Sequence, residues 1–466
     1  MATTQLSPSL KILADSFENN REAILNDYYT FLKFQSISSE PAYKKQILAC
    51  AAWLQDYLKK MGFTLEQWET SGHPVLYAHN MNAGPDKPTL LIYNHYDVQP
   101  VDPLELWQSP PFEPTVRGGE VYARGAQDNK GQCFYVLQAL KGLIKRDGKL
   151  PINIKLCIEG EEEVGSTGLS QILTQKAQEL KADYLAIVDL GINTPTTPAI
   201  SLGVRGIATL EVEIEDSNTD LHSGSHGGVV YNPIHALVEL LAKVRDPATG
   251  KVLIPGFYDN VKGLSEKEKG QISLDFDHAT YQKEFGTQAL GGEKEFSPQE
   301  RAWVRPTLEI NGIAGGYAGQ GFKTVIPSKA SAKLSCRLVP DQDPHEIGNL
   351  VINFLEKNAP KGLKVRAKLL SGGGVAVRTS PSSKIVQAFS KAYSEVFQAP
   401  CEYIFSGGSI PVVAELAKAS QAEVVLLGLG LPGDKIHAPN EHFGLDRIEK
   451  GYLIMCRALE LLSEVK

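Results

Sequence analysis

Apolar and polar positions along the first two hundred residues alternate between two rhythms. Apolar residues at helical spacing predict an amphipathic helix over 47–60 and an apolar helix over 131–145. Short apolar runs predict strands over 89–93, 152–158 and 184–188. Strands separated by helices imply a largely parallel sheet covered on both faces. In such sheets, chemistry gathers where strands end and loops begin.

The rhythm changes near Arg205. Ala208, Leu210, Val212 and Ile214 alternate with Thr209, Glu211, Glu213 and Glu215, which predicts a strand with one wet face. A helix over 232–244, a strand over 307–310, an alternating strand over 330–338, a helix over 344–357 and a strand over 362–370 follow. Strand, helix, strand, strand, helix, strand is the ferredoxin-like order. The polar stretch 250–305 interrupts it and reads as an insertion. After Thr379 helix and strand alternate again, over 384–397 and 423–429. The chain is therefore expected to be α/β, with a larger domain over 1–204 and 379–466 and a smaller α+β domain over 205–378 inserted into it. No fixed-period repeat is present.

Composition narrows the function classes. A chain of 466 residues exceeds what a single hydrophobic core supports, in keeping with two domains. The net charge of -7 argues against nucleic acid as a partner, because phosphate binding calls for a basic surface. No run of about 18 apolar residues is present, so no membrane span is expected. Asp15, Glu18, Arg21 and Glu22 interrupt the N-terminal region where a signal peptide would be apolar. Six scattered cysteines without CxxC spacing read as reduced thiols, and the expected location is the cytoplasm.

Acidic and imidazole residues recur just past the apolar strands. His95 and Asp97 follow Leu90-Leu91-Ile92-Tyr93; two apart, they face one side, and a metal-bound imidazole usually donates its other N–H to a carboxylate. Taken singly, the pair is also what an ordinary strand end carries. Asp128, in Gly125-Ala126-Gln127-Asp128-Asn129-Lys130-Gly131, stands where an N-cap belongs. Glu159, Glu161, Glu162 and Glu163 close the strand over 152–158, and carboxylates so crowded repel one another unless a cation compensates. Asp189 ends the next strand. His437 and His442 both lie beyond the last one. Four strand-end positions supplying His, Asp and Glu together point to a metal centre. Asp128, Glu163 and Asp189 bring three negative charges, which two divalent ions and a bridging hydroxide would balance. Donors without thiolates suit zinc, with manganese or cobalt also fitting.

At this point the sequence resembles the zinc metallopeptidase family of carnosine dipeptidases, glutamate-releasing carboxypeptidases, aminoacylases, acetylornithine deacetylases and succinyl-diaminopimelate desuccinylases. The resemblance rests on Asn94-His95-Tyr96-Asp97-Val98-Gln99-Pro100, on 125–131, on 159–166, on Asp189 and on His437-Ala438-Pro439-Asn440-Glu441. Val98-Gln99-Pro100 with Trp107, Asp220-Leu221-His222-Ser223-Gly224, Thr324-Val325-Ile326-Pro327, Arg337-Leu338-Val339-Pro340 and Gly407-Gly408-Ser409-Ile410-Pro411 are most similar to the cytosolic carnosine-type dipeptidases. The resemblance implies a phosphorylase/hydrolase-like catalytic domain with a mixed, mostly parallel sheet, and an inserted ferredoxin-like α+β lid through which two subunits pair. It implies two divalent ions per subunit, one on His95, Asp128 and Asp189, the other on Asp128, Glu163 and His437. Glu162 would be the general base and Asp97 the partner of His95. His222 would stabilise the oxyanion with Thr324 nearby, both reaching the partner subunit's site. Arg337 would clamp the terminal carboxylate of a dipeptide or short peptide, and Ser409 would touch substrate.

Two departures stand out. Carnosine-type relatives carry a histidine in the loop matching Ser371-Gly372-Gly373-Gly374, which has none, and this tells against carnosine as the preferred substrate. Asn129 follows Asp128 where many relatives have a second aspartate, a change expected to leave ligation unaltered. The alternatives are an N-acyl amino acid deacylase with the same chemistry and a peptide-binding protein that has lost catalysis. The presence of Glu162 speaks against the latter.

Overall fold

The structure is a computed structural model that describes residues 7–370, 373–410 and 412–464. The chain divides into two compact units. One runs to Gly203 and resumes over Thr379–Phe405 and from Val412; the other comprises Val204–Arg378 and the segment from Ser406.

In the first unit, sheet neighbours follow the order Thr64–Trp68, Val75–Asn80, Asn153–Glu159, Thr89–His95, Tyr184–Gly191, Glu423–Gly430, Ala199–Val204. The four strands from Asn153–Glu159 to Glu423–Gly430 are mutually parallel. On either side the pairing is antiparallel. The sheet is thus mixed, with a parallel centre and antiparallel margins, in line with the mixed sheet expected. The reason is local: Thr64–Trp68 and Val75–Asn80 are joined by a short hairpin, which needs no crossover helix.

The parallel centre reads as near-continuous apolar runs because both faces are covered. Leu90, Leu91, Ile92 and Tyr93 are wholly buried, as are Leu185, Ala186, Ile187 and Val188. Each such Leu or Ile contributes about 1.5–3 kcal/mol on burial. The helix Lys130–Asp147 packs on this sheet and against Leu445–Glu464, and it is buried on nearly every side along its first three turns. That explains why apolar residues are spread around these turns rather than confined to one stripe, with Lys130, Gln132 and Gln138 buried among them. Because the central strands share a direction, His95, Glu159 and Asp189 all emerge at the same sheet edge. His95 is directly in register with Glu159.

The second unit has four antiparallel strands in the order Thr307–Gly315, Lys329–Leu338, Gly206–Glu215, Lys364–Leu369. With the helices Pro233–Ala242 and Pro344–Lys357, this is the ferredoxin-like arrangement. Burial alternates without exception along Gly206–Glu215. Ala208, Leu210, Val212 and Ile214 meet Leu237, Leu240, Val351 and Leu355 on the helix side. The other face carries ion pairs, Glu211 with Lys368 at 2.8 Å and Glu215 with Arg366 at 3.2 Å. The edge strand extends to Gly315, five residues beyond the predicted 307–310. Past Ile310 a register shift and exposure erase the apolar pattern that marks a strand in sequence. The 250–305 stretch holds the short helices Glu266–Lys269, His278–Phe285 and Pro298–Trp303. Ser406–Ile410 groups with this unit, although the expected boundary put it in the first. The backbone N–H of Arg205 donates to Gly408 O at 3.0 Å and Ser409 Oγ to Gly206 O at 3.1 Å.

Among the described residues, no helix is long and apolar enough to cross a membrane.

Candidate metal centre

His95 is the last residue of its strand and is wholly buried. Its Nδ1 lies 3.2 Å from Asp97 O and 3.3 Å from Asp97 Oδ1. Asp97 does more than face the imidazole. Its two oxygens accept the backbone N–H groups of Glu162 (3.2 Å) and Glu163 (3.1 Å), holding the one-turn 3-10 helix Glu162–Val164 against the strand end.

Asp128 precedes the helix Lys130–Asp147, whose N-cap is Asn129. The helix-cap role open to Asp128 in the sequence is therefore not the one it fills. It faces both imidazoles instead, Oδ1 at 3.2 Å from His95 Nε2 and Oδ2 at 2.9 Å from His437 Nε2. Asp189, inside a strand that runs on to Gly191, brings Oδ1 to 3.5 Å from His95 Nε2. Glu162 Oε2 is 4.0 Å from the same nitrogen. Glu163 Oε2 is 3.2 Å from His437 Nε2. Two donor groups result: His95, Glu162 and Asp189 in one, Asp128, Glu163 and His437 in the other, each within 4.8 Å. The two differ in exposure, since the His95 side chain has none whereas that of His437 is 51% exposed. The second histidine of the last segment, His442, pairs with Glu120 at 3.1 Å and lies outside both groups.

The electrostatics of this cluster call for a cation. Burial, then the charges of Asp189, Glu163 and Asp128, push Glu162 far above the usual carboxylate range despite the nearby His95. Burial and the Asp128 charge raise Glu163 to about 7. Asp189 is raised by burial too. Asp128 goes the other way: burial opposes ionisation, but hydrogen bonds from His437 and His95 hold it ionised. The Asp128 and Glu163 hydrogen bonds raise His437 to about 11. His95 Nε2 is the telling atom. It is buried, directed at three carboxylates, and has no hydrogen bond of acceptable geometry. Burial opposes a charge on His95, but Asp189, Asp128 and Asp97 outweigh it and raise the imidazole well above its ordinary value, so Nε2 and the anions around it call for a proton or a cation between them. A divalent ion between them satisfies both, and the all-nitrogen-and-oxygen donor set suits one.

The remaining predicted residues lie in the second unit, in two pairs. His222 Nε2, on the short strand Leu221–His222, and Thr324 Oγ1, just before the paired strand Val325–Ile326, are 3.3 Å apart, and both residues are exposed. Arg337 Nη1 donates to Ser409 Oγ at 2.8 Å, and its side chain is half-buried on the face opposite the core. Of the loop lacking a histidine, Ser371 and Gly372 lie outside the described residues, as does Pro411.

Sequence reasoning passed over several groups that brace the centre. Gln99 Nε2 donates to Glu163 Oε2 at 2.7 Å. Asn129, noted only as a departure, uses its whole amide. Its Nδ2 donates to Asp189 Oδ1 (2.6 Å) and Val188 O (2.8 Å), and its Oδ1 accepts from Asn94 Nδ2 (2.7 Å). A carboxylate there could not donate to Asp189 unless protonated. In the sequence, what sets Gln99 and Asn129 apart is that they lie within 94–100 and 125–131, beside His95 and Asp128.

Comparison with known proteins agrees with this geometry. The pattern of peptidase family M20/M25/M40 matches residues 91–461. The chain is 31% identical to a Cys-Gly metallodipeptidase of Candida albicans, covering 98% of this chain and 97% of the relative. Among solved structures, it superposes with a TM-score of 0.86 on a M20 family metallo-carboxypeptidase of Sulfolobus solfataricus, at 35% identity, covering 95% and 99% of the two chains. Human carnosine dipeptidase 1 superposes with a TM-score of 0.84 at 26% identity, covering 99% and 100%. Family match, full-length relatives and a carboxylate–imidazole cluster at the end of a parallel sheet converge, and the chain belongs to peptidase family M20/M25/M40.

Proposed function

We propose that the chain is a two-metal dipeptidase, cleaving the amide bond of dipeptides or short peptides that end in a free carboxylate. The observation that carries this reading is the pair of donor groups, His95 with Glu162 and Asp189 and Asp128 with Glu163 and His437, linked by Asp128, whose two oxygens face the two imidazoles. Relatives named for Cys-Gly and Beta-Ala-His dipeptidase activity support the substrate class. One ion would be held by His95, Asp128 and Asp189, the other by Asp128, Glu163 and His437; zinc is the expected metal, with manganese or cobalt compatible. Ions bound there supply Lewis acidity toward the scissile carbonyl and toward water.

The protein's own groups do the rest. Glu162 sits beside the donor groups without the tight imidazole contact that Asp128 and Glu163 make; burial and the neighbouring carboxylates raise its proton affinity, and bound cations would restore the ionised form that a base requires. Glu162 takes a proton from the attacking water and returns it to the leaving amine. Asp97 holds the His95 ring and the Glu162 backbone at once. The second unit supplies substrate contacts: Arg337 with Ser409 for the terminal carboxylate, His222 with Thr324 for the oxyanion. We assign that unit the roles of lid and dimer contact, with His222 and Thr324 serving the partner subunit's site. Six free cysteines, five of them buried, fit a reducing compartment such as the cytoplasm.

The test is a hydrolysis screen on zinc-loaded protein, with a dipeptide panel set against N-acetyl and N-succinyl amino acids. Cleavage of dipeptides is expected. Deacylation with no peptide cleavage would replace this reading by the deacylase one. Sedimentation equilibrium should give twice the 50.8 kDa chain mass; a monomer at micromolar concentration would remove the dimer.

A further inference from the structure

We infer that Glu441 is a positioning residue that fixes Asp128 for sharing between two metal ions, an inference that rests on the two-metal reading. Glu441 is 1% exposed and lies far along the chain from the residues it touches. Its Oε2 accepts from the Arg124 guanidinium (2.8 Å) and the backbone N–H of Gly125 (2.9 Å). Its Oε1 accepts from the backbone N–H of Gln127 (3.0 Å) and of Asp128 itself (3.1 Å). One carboxylate thus gathers four donors, three of them from the loop that ends on Asp128.

Among the described residues, those three backbone N–H groups have no other acceptor. The loop precedes the helix Lys130–Asp147 and belongs to no strand, so Gly125, Gln127 and Asp128 have no ladder or helical acceptor. Its path is also tightly prescribed. Gly125 has φ of 81°, and a Cβ there would come within 2.7 Å of Val98 Cγ1. Arg124 is tied in turn, giving Nη2 to Pro100 O at 2.8 Å with its guanidinium 5.4 Å from the Trp107 ring centre. The backbone closes the arrangement, since Ala123 N–H donates to Glu441 O.

The position of Glu441 along the chain gives these bonds their meaning. It lies four residues beyond His437, whose Nε2 meets Asp128 Oδ2. The segment 437–441 therefore provides one imidazole and, through Glu441, sets the carboxylate opposite it. Asn440 pins the same segment, accepting from Gln108 N–H and donating to Leu106 O, both at 2.8 Å. A buried ion pair is weak grounds for a stability role. A buried acceptor whose donors are the backbone of a shared ligand is suited to orientation, and groups of this kind typically change metal affinity by about 10–100-fold.

The experiment titrates zinc into chelator-stripped full-length protein and reads stoichiometry and affinity by equilibrium dialysis. Variants are Glu441→Gln, Glu441→Asp and, as a control, Glu293→Gln, which breaks a buried pair with Arg305 in the other unit. Glu441→Gln is expected to keep the far-UV circular dichroism spectrum while its weaker zinc site loses about 10–100-fold in affinity. Its kcat should fall by a similar factor, with KM nearly unchanged. Glu441→Asp should recover part of the loss, and Glu293→Gln should melt lower yet bind zinc as the wild type does. Two zinc ions at wild-type affinity in folded Glu441→Gln would overturn the inference. Should that variant not fold, wild-type affinity in Glu441→Asp would overturn it. Fewer than two ions on the wild-type protein would refute the two-metal reading instead.

Discussion

At the scale of single residues, the site's donors divide by how they reach their partners. His95, Glu162, Glu163 and Asp189 could be singled out because each lies just past an apolar run, where a parallel sheet exposes side chains, and Asp128 because it stands at the entry to a helix. Glu162→Gln keeps the shape but would remove the proposed base. Turnover of the zinc-loaded variant should drop by at least about 10²-fold with both ions retained. Wild-type kcat in that variant would show that another group moves the proton. His222→Ala should lower kcat more than it weakens binding of a non-hydrolysed dipeptide analogue, as expected of a contact made in the transition state. An equal loss in both would make His222 an ordinary binding contact. Gln99 and Asn129 were not legible as braces, since an amide's role depends on what fold-distant atoms stand opposite it.

At the scale of elements, periodicity carried most of the information. The alternating strand Gly206–Glu215 and the apolar central strands could be read because one side chain in two, or nearly all, must be buried. Length at an exposed edge could not, as Thr307–Gly315 shows, and neither could antiparallel strands paired outside the parallel centre. Helix starts respond to single changes. Asp343 caps Pro344–Lys357, its Oδ1 accepting the N–H of His345 (2.8 Å) and of Glu346 (3.0 Å). Asp343→Ala should destabilise by about 1 kcal/mol in urea unfolding, since two donors lose their acceptor. No change in the midpoint would mean that water replaces the cap at no cost.

At the scale of the whole molecule, metal and proton compete for one cluster. Without metal, Glu163 has its folded pKa raised from the ordinary 4.5 to about 7 and His437 from 6.5 to about 11. Both groups bind more protons folded than unfolded. Their stabilisation is fully present below the unfolded values and is lost as pH rises through the folded ones. Metal-free protein should therefore melt at lower temperature at pH 8 than at pH 5. Zinc should be taken up with release of protons and bind more tightly across that window. A metal-free melting temperature that climbs over that range would contradict the cluster's charge balance. Chelation should abolish hydrolysis and restored zinc return it.

The unequal exposure of His95 and His437 has a consequence for how such an enzyme fails. One ion would be sealed beneath the sheet edge and the other would border solvent, so a scavenger should strip the outer position first. The half-emptied molecule would persist as a distinct species, folded but idle. Its abundance in a cell would then report the supply of free metal rather than the amount of protein made.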